Sequence, residues 1–496
     1  MIILYNPPSS ASRKPVLPMS LLALGALLES DHEYQIIDGN LEQAPLSRLE
    51  QVIAESRARI IGITVMPGQQ LSHAVPLCRQ LKAAHPELTI IWGGYFPTQH
   101  PEACLRSPYV DYVIRGYGEV AFRNLVECLE KKQDPSHVPG LAFRTQPPGP
   151  GGRPAIQVSP ISPVPHPDHL PDFPYHRVDV GRYVRSTFMG SRTLAHHSSY
   201  GCPFRCAFCS VVRVANGRWL AQSAERTASV VRRLVDQWGI DAVEFYDNNF
   251  FVQEARTAEF AERIMDLGLG WWGEGRIDTL LGYSDRTWEL MRKSGLRMCY
   301  LGAESGSDET LGQMNKGGSA STEKTLAFVQ KTREYRIIPE LCFMFGIPPD
   351  PEADARQTIE FVRKVKSLNP ATEIIFYMYT PVPPGDDQRA ADKGESFQFP
   401  QTLEEWISPA WQEFSRWRVI SAPGRHDALR RQVIDFRWVL NAHFPTSTNV
   451  QLAGWRRFVP RVLSAWRYHL RAYRYPIELR LLNRLLAYQR QETIGF

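Results

Sequence analysis

Three cysteines on one short stretch are the densest chemistry in this chain. Cys202, Cys206 and Cys209 fall at C-x3-C-x2-C in the run Cys-Pro-Phe-Arg-Cys-Ala-Phe-Cys. Three thiolates from one loop can hold three irons of a four-iron cluster, and the fourth iron then has no protein ligand. Electron-transfer clusters take four cysteines, so an open iron is a place for a substrate or cosubstrate. A structural zinc site is the competing reading, because zinc also takes thiolates and closes a tetrahedron with four ligands. The chain offers no second C-x2-C-like knuckle: Cys78, Cys104, Cys128, Cys299 and Cys342 stand singly. The iron–sulfur reading is therefore preferred.

The loop, with Phe208 before its last cysteine, resembles that of the radical S-adenosylmethionine (SAM) superfamily. The resemblance implies a [4Fe–4S] cluster on Cys202, Cys206 and Cys209. It also implies that SAM chelates the fourth iron and that one electron splits it into methionine and a 5′-deoxyadenosyl radical.

Positioning such a loop takes a large scaffold. The chain has 496 residues, enough for two or three domains. Hydrophobic residues make up 43%, as in soluble globular proteins. Lys and Arg number 57 against 52 Asp and Glu, and net +5 is too small an excess to argue nucleic acid. Unpaired cysteine spacing suits a reducing cytoplasm. The start, Met-Ile-Ile-Leu-Tyr-Asn, lacks the basic residues and cleavage site of a signal peptide. The apolar run 16–28 is too short to span a bilayer and reads as a buried helix.

Residues 1–144 alternate strand and helix signals. Ile2–Tyr5, Tyr34–Ile37, Ile60–Val65, Leu88–Trp92 and Asp111–Ile114 read as strands, with helices between them. This predicts an α/β, doubly wound parallel sheet, with its ligand at the strands' C-terminal ends. Asn6-Pro7-Pro8 ends the first strand, Gly93-Gly94-Tyr95 follows the fourth, and Arg115-Gly116-Tyr-Gly118-Glu119 follows the fifth. Together these resemble the Rossmann-like (flavodoxin-type) cobalamin-binding domain in front of many radical SAM proteins, the class B methyltransferases among them. Many cobalamin carriers place a cobalt-ligating histidine after the first strand; here that loop reads Asn-Pro-Pro-Ser-Ser. The resemblance then implies cobalamin without a histidine ligand. It also sets Met66, Gln69 and Gln70, in the loop after the third strand, toward cobalt. His73 reads as an ordinary histidine of the next helix, with cobalt ligation as its alternative.

Residues 145–185 are proline-rich and read as a linker. Residues 186–395 alternate again, in about six strand–helix units, and predict a partial (β/α)6 barrel with polar clusters at the strands' C-terminal ends. By resemblance to the radical SAM fold, Asp247, Asn248 and Asn249 lie near the SAM amino group, and Arg276 pairs with its carboxylate. Glu304 and Ser305 lie near the ribose, and Gly346 and Pro348 near adenine. Pro381-Val-Pro-Pro-Gly-Asp departs from the usual sixth-strand Pro-x-Pro-Gly-Thr. Cys299 and Cys342 fall inside strand patterns, as core residues or, alternatively, as thiols of the active cavity.

Residues 396–496 lose the alternation and read as helical, rich in Trp and Arg. Pro460 and Pro476 are read as starting two helices with apolar stripes. Three readings stand for this pair: a cap on the barrel, an interfacial pair resting on anionic lipid, or a single-strand nucleic-acid surface. No nucleic-acid fold accompanies the last, and nucleic acid is not expected.

The expectation is a cobalamin-dependent radical SAM methyltransferase acting on a carbon of a small or lipid-like substrate. Its electrons would come from a flavodoxin or ferredoxin. It would be cytoplasmic, with peripheral contact at the inner face of the membrane if the lipid reading holds. A radical cyclase or rearrangement enzyme with the same cofactors is the alternative, and a cobalamin-binding regulator with a structural iron site is the alternative of another class.

Overall fold

The computed structural model describes residues 1–9, 15–145, 155–161, 165–316, 319–379, 399–416, 426–449, 452 and 454–488. Two compact units form. The first joins residues 1–183 with 213–216 and 382–415, and the second joins 184–212, 217–381 and 416–496.

The first unit is built on seven strands. β1 (Ile2–Asn6), β2 (Tyr34–Asp38), β3 (Ile60–Thr64), β4 (Thr89–Gly93) and β5 (Tyr112–Ile114) run parallel, while β6 (Leu141–Thr145) and β7 (Ala155–Val158) add antiparallel. The order is β2-β1-β3-β4-β5-β6-β7. β3 is central and apolar on both faces, as a strand covered by helices must be. Its Gly62 lets helix Glu119–Glu130 come close: a Cβ there would meet the Phe122 ring at 2.7 Å. Strand order reverses between β1 and β3, and open α/β sheets bind ligands at such a switch point.

Two features differ from the sequence reading. The sheet does not stop at residue 144: Ala155-Ile-Gln-Val pairs with β6 inside the stretch expected to be linker. The proline-dense 146–154 lies outside the described residues. Nor is the region after 396 a single helical block. Leu403 and Trp406 are buried in the first unit's core, with Trp406 against Phe96 and His100 at ring separations of 5.1 and 4.4 Å.

The second unit carries β8 (Thr193–His196), β9 (Ser199–Gly201), β10 (Trp219–Ala221), β11 (Ala242–Phe245), β12 (Gly270–Gly275), β13 (Leu296–Glu304), β14 (Ile338–Phe345) and β15 (Glu373–Met378). Six of them form one parallel sheet in the order β15-β14-β13-β12-β11-β8, open between its ends as a partial barrel is. Side chains alternate across each strand. One face packs Phe245, Phe250, Phe260 and Trp271 into a buried aromatic cluster. The other face carries the polar residues. β9 and β10 form a separate antiparallel pair at its rim.

The last three helices among the described residues are His426–His443, Trp455–His469 and Ile477–Leu486. The second begins at Trp455, after Gly454 at φ +57°, rather than at Pro460, which sits inside it. The third follows Pro476 as expected. They pack on the barrel side: Phe376 stacks on Phe436 at 5.8 Å, and Arg363 donates to the Tyr468 carbonyl at 2.6 Å.

Candidate active site

The cysteine loop leaves β9 through Gly201, whose φ of +75° favours glycine. Backbone bonds fix the turn: Cys209 N–H donates to the Cys206 carbonyl at 3.1 Å, and Ala207 N–H donates to the Met314 carbonyl at 3.0 Å. All three thiols are partly exposed. Among the described residues no three His, Cys, Asp or Glu side chains gather closely enough to hold a single ion. Burial pushes the Cys206 thiol up, against the lowering field of Arg276, and pushes Cys209 up to about 11. Iron must therefore displace protons here.

Arg276, at the end of β12, donates from Nη1 to Cys206 Sγ at 3.2 Å. The rest of its fork is held by Asp278 (Nε–Oδ1 3.0 Å, Nη2–Oδ2 2.6 Å) and the Lys316 carbonyl at 2.9 Å. Its guanidinium also stacks on Phe204, 3.9 Å from the ring centroid. A planar cation among thiolates stabilises their charged form. Asn249 donates from Nδ2 to Cys202 Sγ at 3.7 Å, and its buried Oδ1 has no partner among the described residues. Phe208 packs against Leu311, Met314 and Ile347.

Other expected SAM contacts divide. Asp247 is fully buried and accepts from Ser198 N–H at 3.1 Å and from the hydroxyls of Ser198 and Ser199. It ties β11 to the loop's base and is not free for a ligand amine. Asn248 is exposed. Ser305 donates to Asp354 at 2.5 Å and is equally committed. Glu304 has φ +67°, where β13 shifts register against β14, and such an irregularity re-aims a side chain. Its Oε1 pairs with Lys316 Nζ at 2.9 Å, and its Oε2 accepts from Cys342 Sγ at 3.7 Å. Gly302 makes room for this group: a Cβ there would collide with Glu304 Oε1. Gly346, at φ +88°, and Pro348 follow β14 at the same end of the sheet.

Lys316, Asp278, Phe204 and the inner-face carboxylates were not assigned roles from sequence. β12 turns Trp272 and Glu274 inward, in register with Met298 and Tyr300 of β13, and Tyr300 is in register with Glu340 of β14. Trp272 Nε1 donates to Glu340 Oε2 at 3.1 Å, and Tyr300 donates to the Tyr377 hydroxyl at 3.3 Å. Tyr246, Trp272 and Tyr300 form a wall with ring separations of 5.6 and 6.1 Å. Burial first, then the charges of Glu340 and Asp247, push the Glu274 carboxyl up to about 8. Cys342 stands on this face beside Glu304, whereas Cys299 is enclosed in the core.

In the first unit, Asn6, Pro7 and Pro8 follow β1 and Met66, Gln69 and Gln70 follow β3, on either side of the switch point, while the glycine segments follow β4 and β5. Gln70 Nε2 donates to Asn6 Oδ1 at 2.7 Å and to the Pro7 carbonyl at 3.3 Å, while its Oε1 accepts from Met66 N–H at 2.9 Å. Asn6 donates to Asp38 at 2.9 Å, and Tyr183 donates to the other Asp38 oxygen at 3.0 Å. Asn6 and Gln70 thus brace the loops, and Met66 is left 48% exposed above them. Pro7 and Pro8 are buried. Gln69 and Gln70 open helix Gln69–Ala84, and His73 lies in that helix. Gly94 needs glycine both for its φ of +95° and for space, since an added Cβ would lie 3.0 Å from Thr64 Oγ1 and 3.1 Å from Val65 N. Tyr95 opens the short helix that follows. Arg115 donates to the carbonyls of Thr98 and Ser159 at 3.4 and 3.2 Å, and Gly116 N–H donates to Thr98 Oγ1 at 3.0 Å. Gly118 caps helix Glu119–Glu130, whose Glu119 is buried.

Comparison with known proteins agrees with this geometry. Residues 11–126 match the B12 binding domain and residues 197–362 the radical SAM superfamily. The chain joins a B12-binding domain to a radical SAM domain. It is similar to an uncharacterized methyltransferase of Pyrococcus horikoshii, with 28% identity over 361 residues, 70% of this chain and 74% of that one. It is also similar to the anaerobic magnesium-protoporphyrin IX monomethyl ester cyclase of Synechocystis, with 28% identity over 358 residues, 68% and 67% of the two chains. Among solved structures, the radical S-adenosylmethionine methyltransferase TsrM from Kitasatospora setae superposes with a TM-score of 0.66. That match has 18% identity and covers 91% of this chain and 92% of TsrM, so the fold is shared.

The radical SAM domain's residues fit its cofactors. Three thiols and a guanidinium suit an anionic cluster, and Asn249 Oδ1 is a buried acceptor with no protein donor among the described residues. The B12-binding domain presents Met66 rather than a histidine at the switch point.

Proposed function

We propose that the protein is a cobalamin-dependent radical SAM methyltransferase that delivers a methyl group to a carbon of a small or lipid-like substrate. The observation that carries the reading is one chain holding both a B12-binding domain and a three-cysteine loop clamped by Arg276 on Cys206. When bound, SAM, cobalamin and the [4Fe–4S] cluster supply hydrogen-atom abstraction by a 5′-deoxyadenosyl radical and a cobalt-borne methyl group to replace that hydrogen. Cys202, Cys206 and Cys209 would hold the cluster, and Arg276, which donates to Cys206 Sγ, would offset its negative charge. Asn249 Oδ1, buried and without a donor among the described residues, would accept from the SAM ammonium. Glu304, fixed by Lys316, would accept from the ribose hydroxyls. The residues at the switch point would line the corrin, and none of them is a histidine. The wall of Tyr246, Trp272 and Tyr300 excludes water from the reacting carbon. A flavodoxin- or ferredoxin-type donor in the cytoplasm would supply two electrons per turnover, one to cleave SAM and one to return cobalt to the state that SAM remethylates.

A second reading, radical cyclisation without net methyl transfer, is favoured by the similarity to the Synechocystis cyclase. Anaerobic incubation with reductant, SAM and methylcobalamin separates the two. Turnover beyond the methylcobalamin supplied draws each methyl from SAM, so sustained methyl transfer yields 5′-deoxyadenosine and S-adenosylhomocysteine together, whereas cyclisation yields 5′-deoxyadenosine alone. Neither product would refute both.

A further inference from the structure

The last two helices wear their apolar residues on the wrong side for a cap. Helix Trp455–His469 turns Pro460, Ser464 and Tyr468 toward the protein. At 100° per residue, Trp455, Phe458, Val462 and Trp466 lie on the opposite face, each 51–66% exposed. Helix Ile477–Leu486 repeats the arrangement: Leu479 is buried, and Ile477, Leu481 and Leu485 are 61%, 53% and 82% exposed at i, i+4 and i+8. Of the thirteen large apolar side chains that the described residues leave exposed, ten lie between Trp455 and Leu485. Monomeric soluble surfaces scatter such residues singly, and a concentrated patch marks an interaction site.

Charge identifies the partner. Residues 455–488 contain eight arginines and a single acid, Glu478. Arg467 takes Glu478, Arg471 takes Glu360 at 2.8 Å, Arg480 pairs with Asp435 at 2.5 Å, and Arg457 donates to the Thr446 carbonyl. Arg456, Arg461, Arg474 and Arg484 are exposed and have no carboxylate among the described residues. A second copy of the chain would bring these cations against themselves in a two-fold contact. An anionic bilayer surface satisfies both halves, taking the apolar stripe into the acyl boundary and the guanidinium groups onto the headgroups.

We infer that the helix pair Trp455–Leu486 is a membrane-docking surface for anionic lipid. The surface stands on exposure and charge. Its use in collecting a lipid-like substrate rests on the methyl-transfer reading, deepening it from a small or lipid-like substrate to one drawn from the bilayer.

The test is flotation of full-length, cluster-reconstituted protein with vesicles of phosphatidylcholine alone or mixed with phosphatidylglycerol, at two salt concentrations. The protein should float with the anionic vesicles, bind neutral ones at least about tenfold more weakly, and bind less at high salt. A variant with Arg456, Arg461, Arg474 and Arg484 changed to Gln should lose at least about tenfold in partitioning. A Trp455→Ser, Phe458→Ser, Trp466→Ser variant should lose flotation while keeping its circular dichroism and iron content. Protein that stays at the bottom with both vesicles overturns the inference. So does a dimer in light scattering that the Trp/Phe variant dissolves, or single-stranded DNA binding that the Arg variant removes while flotation is absent. Flotation needs no turnover, so its failure and a failure of methyl transfer are read separately.

Discussion

Replacing Glu274 with Gln should remove a pH dependence that the fold builds into β12. The carboxyl lies on the sheet's inner face beside Tyr300 and Glu340, and is pushed from an ordinary 4.5 up to about 8 by burial, then by Glu340 and Asp247. Between these values the folded chain keeps a proton that the unfolded chain has released. Stability from this group therefore falls as pH rises through the window and levels off above about 8. A difference of about 3.5 pH units at about 1.36 kcal/mol each sets an upper bound of roughly 5 kcal/mol. The inner face keeps some solvent contact, which reduces the expected effect to about 2–3 kcal/mol. Two units make whole-chain melting hard to read, so the assay is amide hydrogen exchange in peptides covering β12 and β13, corrected for intrinsic rates. From pH 6 to pH 8.5, which spans about 2 of those 3.5 units, wild-type protection should drop by about 7- to 20-fold, the equivalent of that share of the free energy. In Glu274→Gln the drop should be absent, because the amide does not titrate. Equal losses in both proteins, or no loss in either, would refute the reasoning.

Changing Cys202, Cys206 and Cys209 together to Ala should abolish iron uptake on anaerobic reconstitution, checked by iron and sulfide content; near-stoichiometric iron in that variant would rule out this loop as the cluster site. Cob(II)alamin bound to the first unit should show no nitrogen superhyperfine splitting in its paramagnetic resonance spectrum, since Met66 and not a histidine stands at the switch point; splitting that disappears in His73→Ala would say otherwise. Trp406→Ala should destabilise the B12-binding domain by about 3–5 kcal/mol, the range for a large buried aromatic, because Trp406 packs on Phe96 and His100. Exchange protection lost in β12 and β13 but kept in β3 and β4 would contradict that placement.

Much of the fold was legible because its signals are local. Five of the seven strands in the first sheet are apolar runs closed by Gly, Pro or Asn, and a buried parallel strand needs little more. The remaining features depend on distant partners. Ala155–Val158 is a short, half-exposed edge whose strand character comes from pairing with β6, and nothing inside the tetrapeptide announces it. Leu403 and Trp406 read as one more helical turn, and their membership of the first core is fixed by Phe96 and His100, some three hundred residues earlier.

The site divides the same way. Cysteines at C-x3-C-x2-C declare themselves because the ligands of one loop are neighbours in sequence as well as in space. For the SAM-side residues, type and strand position were readable but direction was not. Asp247 and Asn249 are two residues apart at the end of β11, yet Asp247 turns into Ser198 and Ser199 while Asn249 reaches Cys202. The deciding partners come from another strand, and a buried carboxylate goes to whichever donors satisfy it. Lys316 carries no motif, and its meaning appears only where the register shift in β13 aims Glu304 at it. A buried pair of this kind is costly to break from one side, about 3–5 kcal/mol. Glu304 is therefore held in one orientation before any ligand arrives, which is the preorganisation a radical site needs so that a reactive intermediate meets one carbon and not its neighbours.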